Sequence, residues 1–183
     1  MKYYKMLSDI NFNLEFFKTL FTETITDEWK NAKGKYGLRF ADMYPVHVHK
    51  HKELQSIRNM IPSLGDHIKL IKIDENSTMP AHKDMQRTSA INIPAHNNSV
   101  DCVTNFLKGA TPTDFIGDAM SNEYVQYYEN GTVEESYSLV DIPVLLNTTI
   151  PHEVINMSNV TRFAWTWAYN DSFENARTQL SNG

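Results

Sequence analysis

The sequence contains a single cysteine, Cys102, and it has no long apolar run, repeat or low-complexity segment. One cysteine excludes an internal disulfide and any metal centre built from several thiolates, so a bound metal would need nitrogen and oxygen ligands. The longest apolar stretches, such as residues 142–146, are far shorter than the ~20 residues that span a bilayer. The first residues lack the unbroken apolar segment of a signal peptide, so we expect a cytoplasmic protein.

The chain also lacks an excess of positive charge. It has 17 Lys and Arg against 22 Asp and Glu, a net charge of −5. A protein that binds nucleic acid or an anionic membrane usually carries a basic patch, so we expect neither partner. The length of 183 residues, with 41% hydrophobic and 21% charged residues, is typical of one globular domain. Oligomeric state is not indicated.

Three parts of this single domain, 1–183, differ in pattern. Residues 1–66 are predicted to be helical, because 13–32 has apolar residues close to helical spacing. A second short helix is predicted at 52–61, before Pro62 and Gly65 end it. Residues 67–170 are rich in short β-type runs, and 171–183 are predicted to form a terminal helix or tail.

The β-rich part predicts an all-β sandwich or barrel with the N-terminal helices packed outside it. The predicted strands are 67–75, 89–94, 100–107, 123–128, 133–140, 144–150 and 162–169. Asn130 and Gly131 lie between two of these runs, and Asn-Gly is a strong hairpin signal. We therefore predict a hairpin at this point.

The strand at residues 162–169 has two very different faces, because successive side chains of a strand point to opposite sides. One face is aromatic and includes Trp165 and Trp167, which we expect to be buried. The other begins with Arg162 and continues with Ala164 and Thr166. Small side chains leave space, and an arginine facing that space needs an anion. The alternative is an edge strand with a solvated arginine.

A possible metal site begins with His82 and Asp84, which share one face of an extended chain at spacing i, i+2. The best third ligand is His152, which lies 68 residues after Asp84. Two histidines and one carboxylate form the facial triad of non-haem Fe(II) oxygenases, whose open metal positions can take a 2-oxo acid and dioxygen. Arg162 could hold the distal carboxylate of 2-oxoglutarate in the same cavity.

Other histidines are weaker candidates. His47, His49 and His51 alternate in sequence and could line one strand face, but they lie among lysines outside the β-rich part. We interpret them as a solvated strand or loop. His96 is interpreted as a loop residue.

At this point the sequence resembles a known family. The residues that carry the resemblance are His-Lys-Asp at 82–84 and His-Glu-Val-Ile-Asn-Met-Ser at 152–158, followed by Arg162. They are similar to the 2-oxoglutarate/Fe(II)-dependent oxygenases, within them to the aspartyl/asparaginyl β-hydroxylase-like branch, over about residues 67–170. The resemblance implies a double-stranded β-helix core, also called a jelly roll or cupin-like fold. It also implies Fe(II) bound by His82, Asp84 and His152, and 2-oxoglutarate bound by Arg162.

One part of the branch's pattern is absent. The branch commonly has an Arg-x-His pair on the strand after the first motif, where it contacts the cosubstrate. Here Asn92 stands near the expected histidine and Arg87 lies earlier. Both are candidate cosubstrate-binding residues. The alternatives are a buried, satisfied amide for Asn92, and a surface arginine or a ligand of an acidic substrate for Arg87.

We therefore predict an Fe(II)- and 2-oxoglutarate-dependent dioxygenase that hydroxylates an amino acid, a peptide or a small metabolite. No catalytic residue is expected beyond the metal ligands. The alternative is a non-catalytic, or differently catalytic, cupin-like module that binds a metal or a small molecule. Arg162 separates the two hypotheses, because a 2-oxo acid site readily explains its place on a small-residue strand.

Overall fold

The computed structural model describes residues 2–25, 42–119 and 123–181. Within these ranges the chain is mainly β, with a few short helices. The helices are α1 (Leu14–Thr24), α2 (Lys52–Met60) and α3 (Phe173–Gln179). The strands are β1 (Tyr4–Met6), β2 (Asp42–His47), β3 (Leu64–Ile73), β4 (Ser77–Asp84), β5 (Ser89–His96), β6 (Cys102–Lys108), β7 (Thr111–Ala119), β8 (Glu123–Glu129), β9 (Thr132–Ser138), β10 (Val144–Asn147), β11 (His152–Asn156) and β12 (Arg162–Tyr169).

The strands form two six-stranded antiparallel sheets. The first has the order β1-β10-β5-β12-β3-β2, and the second has the order β7-β8-β4-β11-β6-β9. From β3 to β6, and again from β9 to β12, each consecutive strand lies in the other sheet. This alternation is the winding of a double-stranded β-helix, so the predicted jelly-roll core is confirmed.

The predicted hairpin at Asn130 and Gly131 is wrong. β8 pairs with β7 and β4, whereas β9 pairs with β6 at the opposite edge of the same sheet. The glycine at position 131 instead allows the backbone there to lie close to the side chains of Leu107 and Ala110. A Cβ atom at this position would lie 2.8 Å from the Cβ atoms of both residues. A turn signal is local, but which strands pair is decided by contacts between distant parts of the chain.

The N-terminal third is not helical throughout, because it also supplies β1 and β2 to the first sheet. The predicted helix 13–32 corresponds to α1, and its residues 26–32 lie outside the described ranges. The predicted helices at 52–61 and after residue 171 are confirmed as α2 and α3. Among the described residues, no helix has the length and apolar character needed to cross a membrane.

The aromatic face of β12 forms the centre of the main hydrophobic core. Trp165 and Trp167 are both 0% exposed, which confirms the predicted strand register. The indole Nε1 of Trp165 donates to the carbonyl of Phe17 in α1 at 3.0 Å, and that of Trp167 donates to the carbonyl of Gly65 at 2.9 Å. These bonds satisfy the indole groups in an apolar environment. The bond of Trp165 also joins α1 to the first sheet, whereas that of Trp167 joins β12 to β3.

The loop between β11 and β12 is fixed by the buried side chain of Asn156. Its Nδ2 donates to the carbonyls of Ile73, Asp74 and Val160 at 2.9–3.3 Å. Its Oδ1 accepts from both the backbone N–H and the hydroxyl of Ser158. The two polar residues at the end of the 152–158 motif therefore have a structural role. They join this loop to the end of β3 and fix the start of the strand that carries Arg162.

We predict that Asn156→Ala lowers the free energy of unfolding by about 2–4 kcal/mol, because several buried carbonyls lose their donor. The measurement is urea unfolding of the purified protein. The matched control is Asn159→Ala, since Asn159 is exposed in the same loop and its substitution should change the stability by less than about 0.5 kcal/mol. Equal stability of the two variants would contradict this role of Asn156.

Candidate active site

Two histidines meet at the centre of the second sheet. His82 in β4 is the direct cross-strand partner of His152 in β11, and their ring centroids are 4.4 Å apart. Both side chains are buried, at 2% and 5% exposure. Nδ1 of His82 lies 2.8 Å from the carbonyl of Pro80, and Nδ1 of His152 lies 2.9 Å from that of Ile150. A carbonyl can only accept, so each Nδ1 carries the proton and each Nε2 has a lone pair for a ligand.

Both imidazoles are neutral at pH 7. Burial, reinforced by the neighbouring His152, lowers the pKa of His82 from 6.5 to about 4. Burial also lowers the pKa of His152, although the carboxylate of Asp84 partly opposes this effect. A neutral imidazole is the form that binds a metal ion.

The third predicted ligand, Asp84, ends β4 and pairs with Arg87. Its Oδ2 accepts from Nε of Arg87 at 2.7 Å, and Nη1 of Arg87 donates to the hydroxyl of Thr166 at 3.2 Å. Burial by itself would raise the pKa of the Asp84 carboxyl, but the positive charge of Arg87 and the two nearby histidines lower it below the usual value. Asp84 is therefore ionised at neutral pH.

Among the described side chains, no three His, Cys, Asp or Glu residues already stand in the arrangement of a metal site. The two histidines are adjacent, whereas the carboxylate of Asp84 is engaged by Arg87. The chemistry of the donor set nevertheless fits a divalent ion: two neutral imidazoles with Nε2 available and one ionised carboxylate, the ligands that Fe(II) takes in a facial triad. Arg87 holds Oδ2 of Asp84, and Oδ1 is the second oxygen of this carboxylate.

Arg162 opens β12 and is buried, at 2% exposure. Its Nε donates to Oδ1 of Asn98 and its Nη1 to Sγ of Cys102, both at 3.3 Å. None of the ion pairs among the described residues includes Arg162. Burying a charge without a counter-ion is costly, so the position favours binding of an anion.

A cavity between the two sheets is lined by both histidines, by Arg87 and by Arg162, whereas Asp84 is not one of its lining residues. Its empty space, including the opening to solvent, is about 530 Å³. Apolar side chains form part of the wall, and the polar lining residues are His82, Arg87, Asn92, Thr104, Thr148, His152, Arg162 and Thr166. The predicted inward face of β12 is thereby confirmed, because Arg162, Ala164 and Thr166 all line the cavity.

Asn92 faces the cavity with an unsatisfied atom. Its Nδ2 lies 3.4 Å from the hydroxyl of Tyr137, while its Oδ1 is buried and accepts no hydrogen bond. Burial raises the pKa of Tyr137, so its hydroxyl stays protonated. A ligand with a donor group would satisfy the Asn92 oxygen, and the hydroxyl of Tyr137 can donate to an acceptor. Tyr137 was not identified from the sequence, where its run of polar neighbours gives no sign of an inward side chain.

The remaining sequence candidates lie away from the cavity. His47 ends β2, His49 lies in a 3₁₀ turn, and both are exposed, as expected for solvated residues. His96 ends β5 instead of lying in a loop, and it stacks on Phe21 with ring centroids 5.0 Å apart. Cys102 is buried, as a small core residue should be.

The strand order and the cavity between the sheets define a double-stranded β-helix. Solved structures support this fold. The chain is similar to a prolyl-4-hydroxylase from Pseudomonas putida, with a TM-score of 0.53 and 9% identity over 93% of this chain and 95% of the other. It is also similar to SnoK, a non-haem alpha-ketoglutarate-dependent carbocyclase from nogalamycin biosynthesis, with a TM-score of 0.55 and 11% identity over 91% and 78% of the two chains.

A storage protein is also among the similar structures. The vicilin of Corylus avellana has a TM-score of 0.42 and 15% identity over 76% of this chain, which spans only 31% of the vicilin. No family model matches the sequence, and no curated protein matches it. At these identities the likeness establishes the fold, which is shared by 2-oxoglutarate-dependent oxygenases.

Because burial lowers the pKa of both histidines, we predict that the metal-free protein loses stability in mild acid. In the unfolded chain a histidine has a pKa near 6.5, whereas the pKa of His82 in the folded protein is about 4. As pH falls between these values the unfolded state takes up more protons, so the free energy of unfolding should fall, by roughly 3 kcal/mol from His82. Urea unfolding at pH 7, 6, 5 and 4 with a chelator present measures this.

The comparison for this prediction is His82→Gln, which removes the titrating group. Its stability should depend less steeply on pH between 6.5 and 4 than that of the wild type. If the free energy of unfolding depends on pH equally steeply in both proteins over this range, the pKa of His82 in the folded protein is not lowered.

Proposed function

We propose that the chain is an Fe(II)- and 2-oxoglutarate-dependent dioxygenase that hydroxylates an amino acid, a peptide or a small metabolite. The observation that carries the proposal is the pairing of two features in one cavity. One is a pair of adjacent histidines whose Nε2 atoms are available as ligands, and the other is the buried guanidinium of Arg162 without a carboxylate partner among the described residues. A simple metal-binding module would need the first feature but not the second.

In this proposal His82, Asp84 and His152 hold the metal, and none of them acts as a general base. When bound, Fe(II) and 2-oxoglutarate supply the oxidative chemistry, in which the oxo acid is decarboxylated to succinate and one oxygen atom of O₂ enters a substrate C–H bond. The protein's own contribution is positioning. Arg162 binds and orients the distal carboxylate of the cosubstrate, and the apolar wall of the cavity excludes water from the reacting centre.

Asn92 and Tyr137 complete the proposed cosubstrate pocket. They lie on facing sheets, and Nδ2 of Asn92, which lines the cavity together with Arg162, donates to the hydroxyl of Tyr137 at 3.4 Å. A protonated tyrosine hydroxyl can donate to a carboxylate that the arginine also binds. In this proposal the pair supplies the second cosubstrate contact, for which Asn92 was already a candidate from the sequence and Tyr137 was not.

We further propose membership of the aspartyl/asparaginyl β-hydroxylase-like branch of these oxygenases. The motif at 152–158 supports this assignment, since its histidine lies in the cavity and its Asn156 and Ser158 fix the loop before Arg162. Asn92 in place of the branch's histidine is the main departure.

The metal ligands can be tested one at a time. We predict that the wild type binds one Fe(II), or Mn(II), Co(II) or Ni(II) as substitutes, and that His82→Ala or Asp84→Ala greatly reduces metal occupancy. The measurement is metal content after dialysis, combined with anaerobic titration. The control is His49→Ala, because His49 is exposed and lies outside the cavity. Unchanged binding in both ligand variants would exclude this site.

Arg162 separates the oxygenase from a simple binding module. We predict that Arg162→Ala binds metal like the wild type but binds 2-oxoglutarate at least ~30-fold more weakly, since losing a buried charged partner costs about 2–5 kcal/mol. Arg162→Lys should bind 2-oxoglutarate with intermediate affinity, because the lysine ammonium is a point charge and lacks the two parallel donors of the planar guanidinium. The measurement is titration of 2-oxoglutarate into Fe(II)-loaded protein without oxygen, followed by the metal-to-ligand charge-transfer band.

Arg177→Ala is the control for this experiment, since Arg177 lies on the surface in α3 and pairs with Glu174. It should titrate like the wild type. If the wild type gives no charge-transfer band, a cupin-like binding module is the better interpretation. If Arg162→Ala titrates like the wild type, another residue holds the carboxylate. Succinate formation across a panel of amino acids and Asp- or Asn-containing peptides then identifies the substrate.

A further inference from the structure

We propose that His47, His49 and His67 form a second metal site, which takes a single Zn(II) or Cu(II) ion. The site lies at the edge of the first sheet, and none of its three histidines lines the cavity of the candidate active site. It does not depend on the proposed function, because it shares no residue with the proposed Fe(II) or 2-oxoglutarate sites. The strand register, the distances between the rings and the chemistry of imidazole support it.

The strand register brings histidines from two segments together. His47 and His67 are direct cross-strand partners where the edge strand β2 meets β3. Directly opposed residues of an antiparallel pair lie on the same face, with their Cβ atoms about 4.5–5.5 Å apart. His49 follows two residues after His47, just beyond the end of β2. The alternating histidines at 47, 49 and 51 could not show this set, because His51 serves as the N-cap of α2 and His67 comes from another strand.

The spacing of the rings fits one shared ion. The ring centroid of His47 lies 5.4 Å from that of His49 and 6.5 Å from that of His67. A histidine nitrogen binds zinc at ~2.0–2.1 Å and lies about 1.1 Å from its ring centre, so two rings on one ion have centres roughly 5–6.5 Å apart. Among the described residues no three ligands yet converge on one point. His47 and His49 are exposed, so their rings can rotate towards a common ion without disturbing the core.

The ligand type selects the class of ion. Imidazole nitrogen suits Zn(II) and Cu(II), whereas Mg(II), Ca(II) and Mn(II) prefer oxygen ligands. Fe(II) binds a given set of ligands more weakly than Cu(II) or Zn(II), so the ion of the candidate active site is not expected to fill this one. With three histidines bound, the fourth position of zinc is open to water. His67 can keep another partner on its second ring nitrogen, as metal-ligating histidines usually do.

The position of the site gives the ion a structural effect. On β3, Ile73 lines the cavity and pairs with Arg162, and His67 lies six residues earlier on the same face. Six residues correspond to about 20 Å along a strand, so the site lies far along β3 from Arg162. An ion held by His47 and His67 would join the edge strand β2 to β3. Because an ion that binds only the folded state stabilises it, Zn(II) should raise the melting temperature.

The test is calorimetric titration of Zn(II) into the 183-residue chain carrying His82→Ala, which removes a ligand of the candidate active site. One Zn(II) should bind per chain in this background. Adding His47→Ala or His67→Ala should weaken the binding at least ~10-fold, since even groups that only support a metal ligand contribute about 10–100-fold. Mg(II) should not bind. Asp84→Ala replaces His82→Ala as the background if the latter does not fold.

The matched control is His51→Ala, because His51 belongs to the same run of histidines but precedes α2. It should bind Zn(II) within about threefold of the background protein. At a free Zn(II) concentration ~100 times the dissociation constant, the melting temperature of the background protein should rise by roughly 5–10 °C. His47→Ala should at least halve this rise at the same concentration. Far-UV circular dichroism shows that each variant is folded.

Three outcomes overturn the inference. The first is a background protein that does not bind Zn(II), and the second is unchanged binding in both His47→Ala and His67→Ala. The third is a loss in His51→Ala as large as that in His47→Ala, because the ion would then be held along the run of histidines and not across the two strands. None of these outcomes affects the proposed dioxygenase, which is tested by Fe(II) and 2-oxoglutarate binding. Conversely, failure of those two tests leaves Zn(II) binding that depends on His47 as support for the second site.

Discussion

The alternation of side chains along β12 is the constraint on which the rest of the structure depends. Every second residue of this strand faces the apolar core, where Trp165 and Trp167 are buried and hydrogen-bonded to the backbone. The intervening residues Arg162, Ala164 and Thr166 face the cavity. A shift by one residue would place the indoles in the cavity and the guanidinium in the core. The two large hydrophobic side chains therefore hold the arginine in its position.

The polar groups of the cavity are kept in defined charge states by their surroundings. Burial keeps His82 and His152 neutral, while Arg87 keeps Asp84 ionised. The backbone carbonyls of Pro80 and Ile150 select the tautomer of each histidine. These are the protonation states in which imidazole and carboxylate side chains can act as ligands of a divalent metal.

Much of this arrangement could be predicted from short-range patterns. The period of two in residues 162–169 predicted both faces of β12, and the motifs at 82–84 and 152–158 identified side chains that meet in one cavity. What failed depended on long-range contacts. The Asn130–Gly131 signal could not show that β9 pairs with β6. The partnership of Asp84 with Arg87, and the inward position of Tyr137, follow from how separate strands meet and leave no mark on the local sequence.

The order of the strands has a consequence for how the protein folds. Among the strand pairs of the described residues, β7–β8 is one of the few in which the partners follow each other directly along the chain. Tyr4 pairs with Leu146, and the strand of His82 pairs with that of His152. Chains dominated by such distant contacts fold in milliseconds to seconds, because long loops must close first. During synthesis, β1 can form its strand pair only after β10 has left the ribosome. The cavity walls run from Ile71 to Thr166, so a ligand can stabilise the nascent protein only after nearly the whole chain has been made.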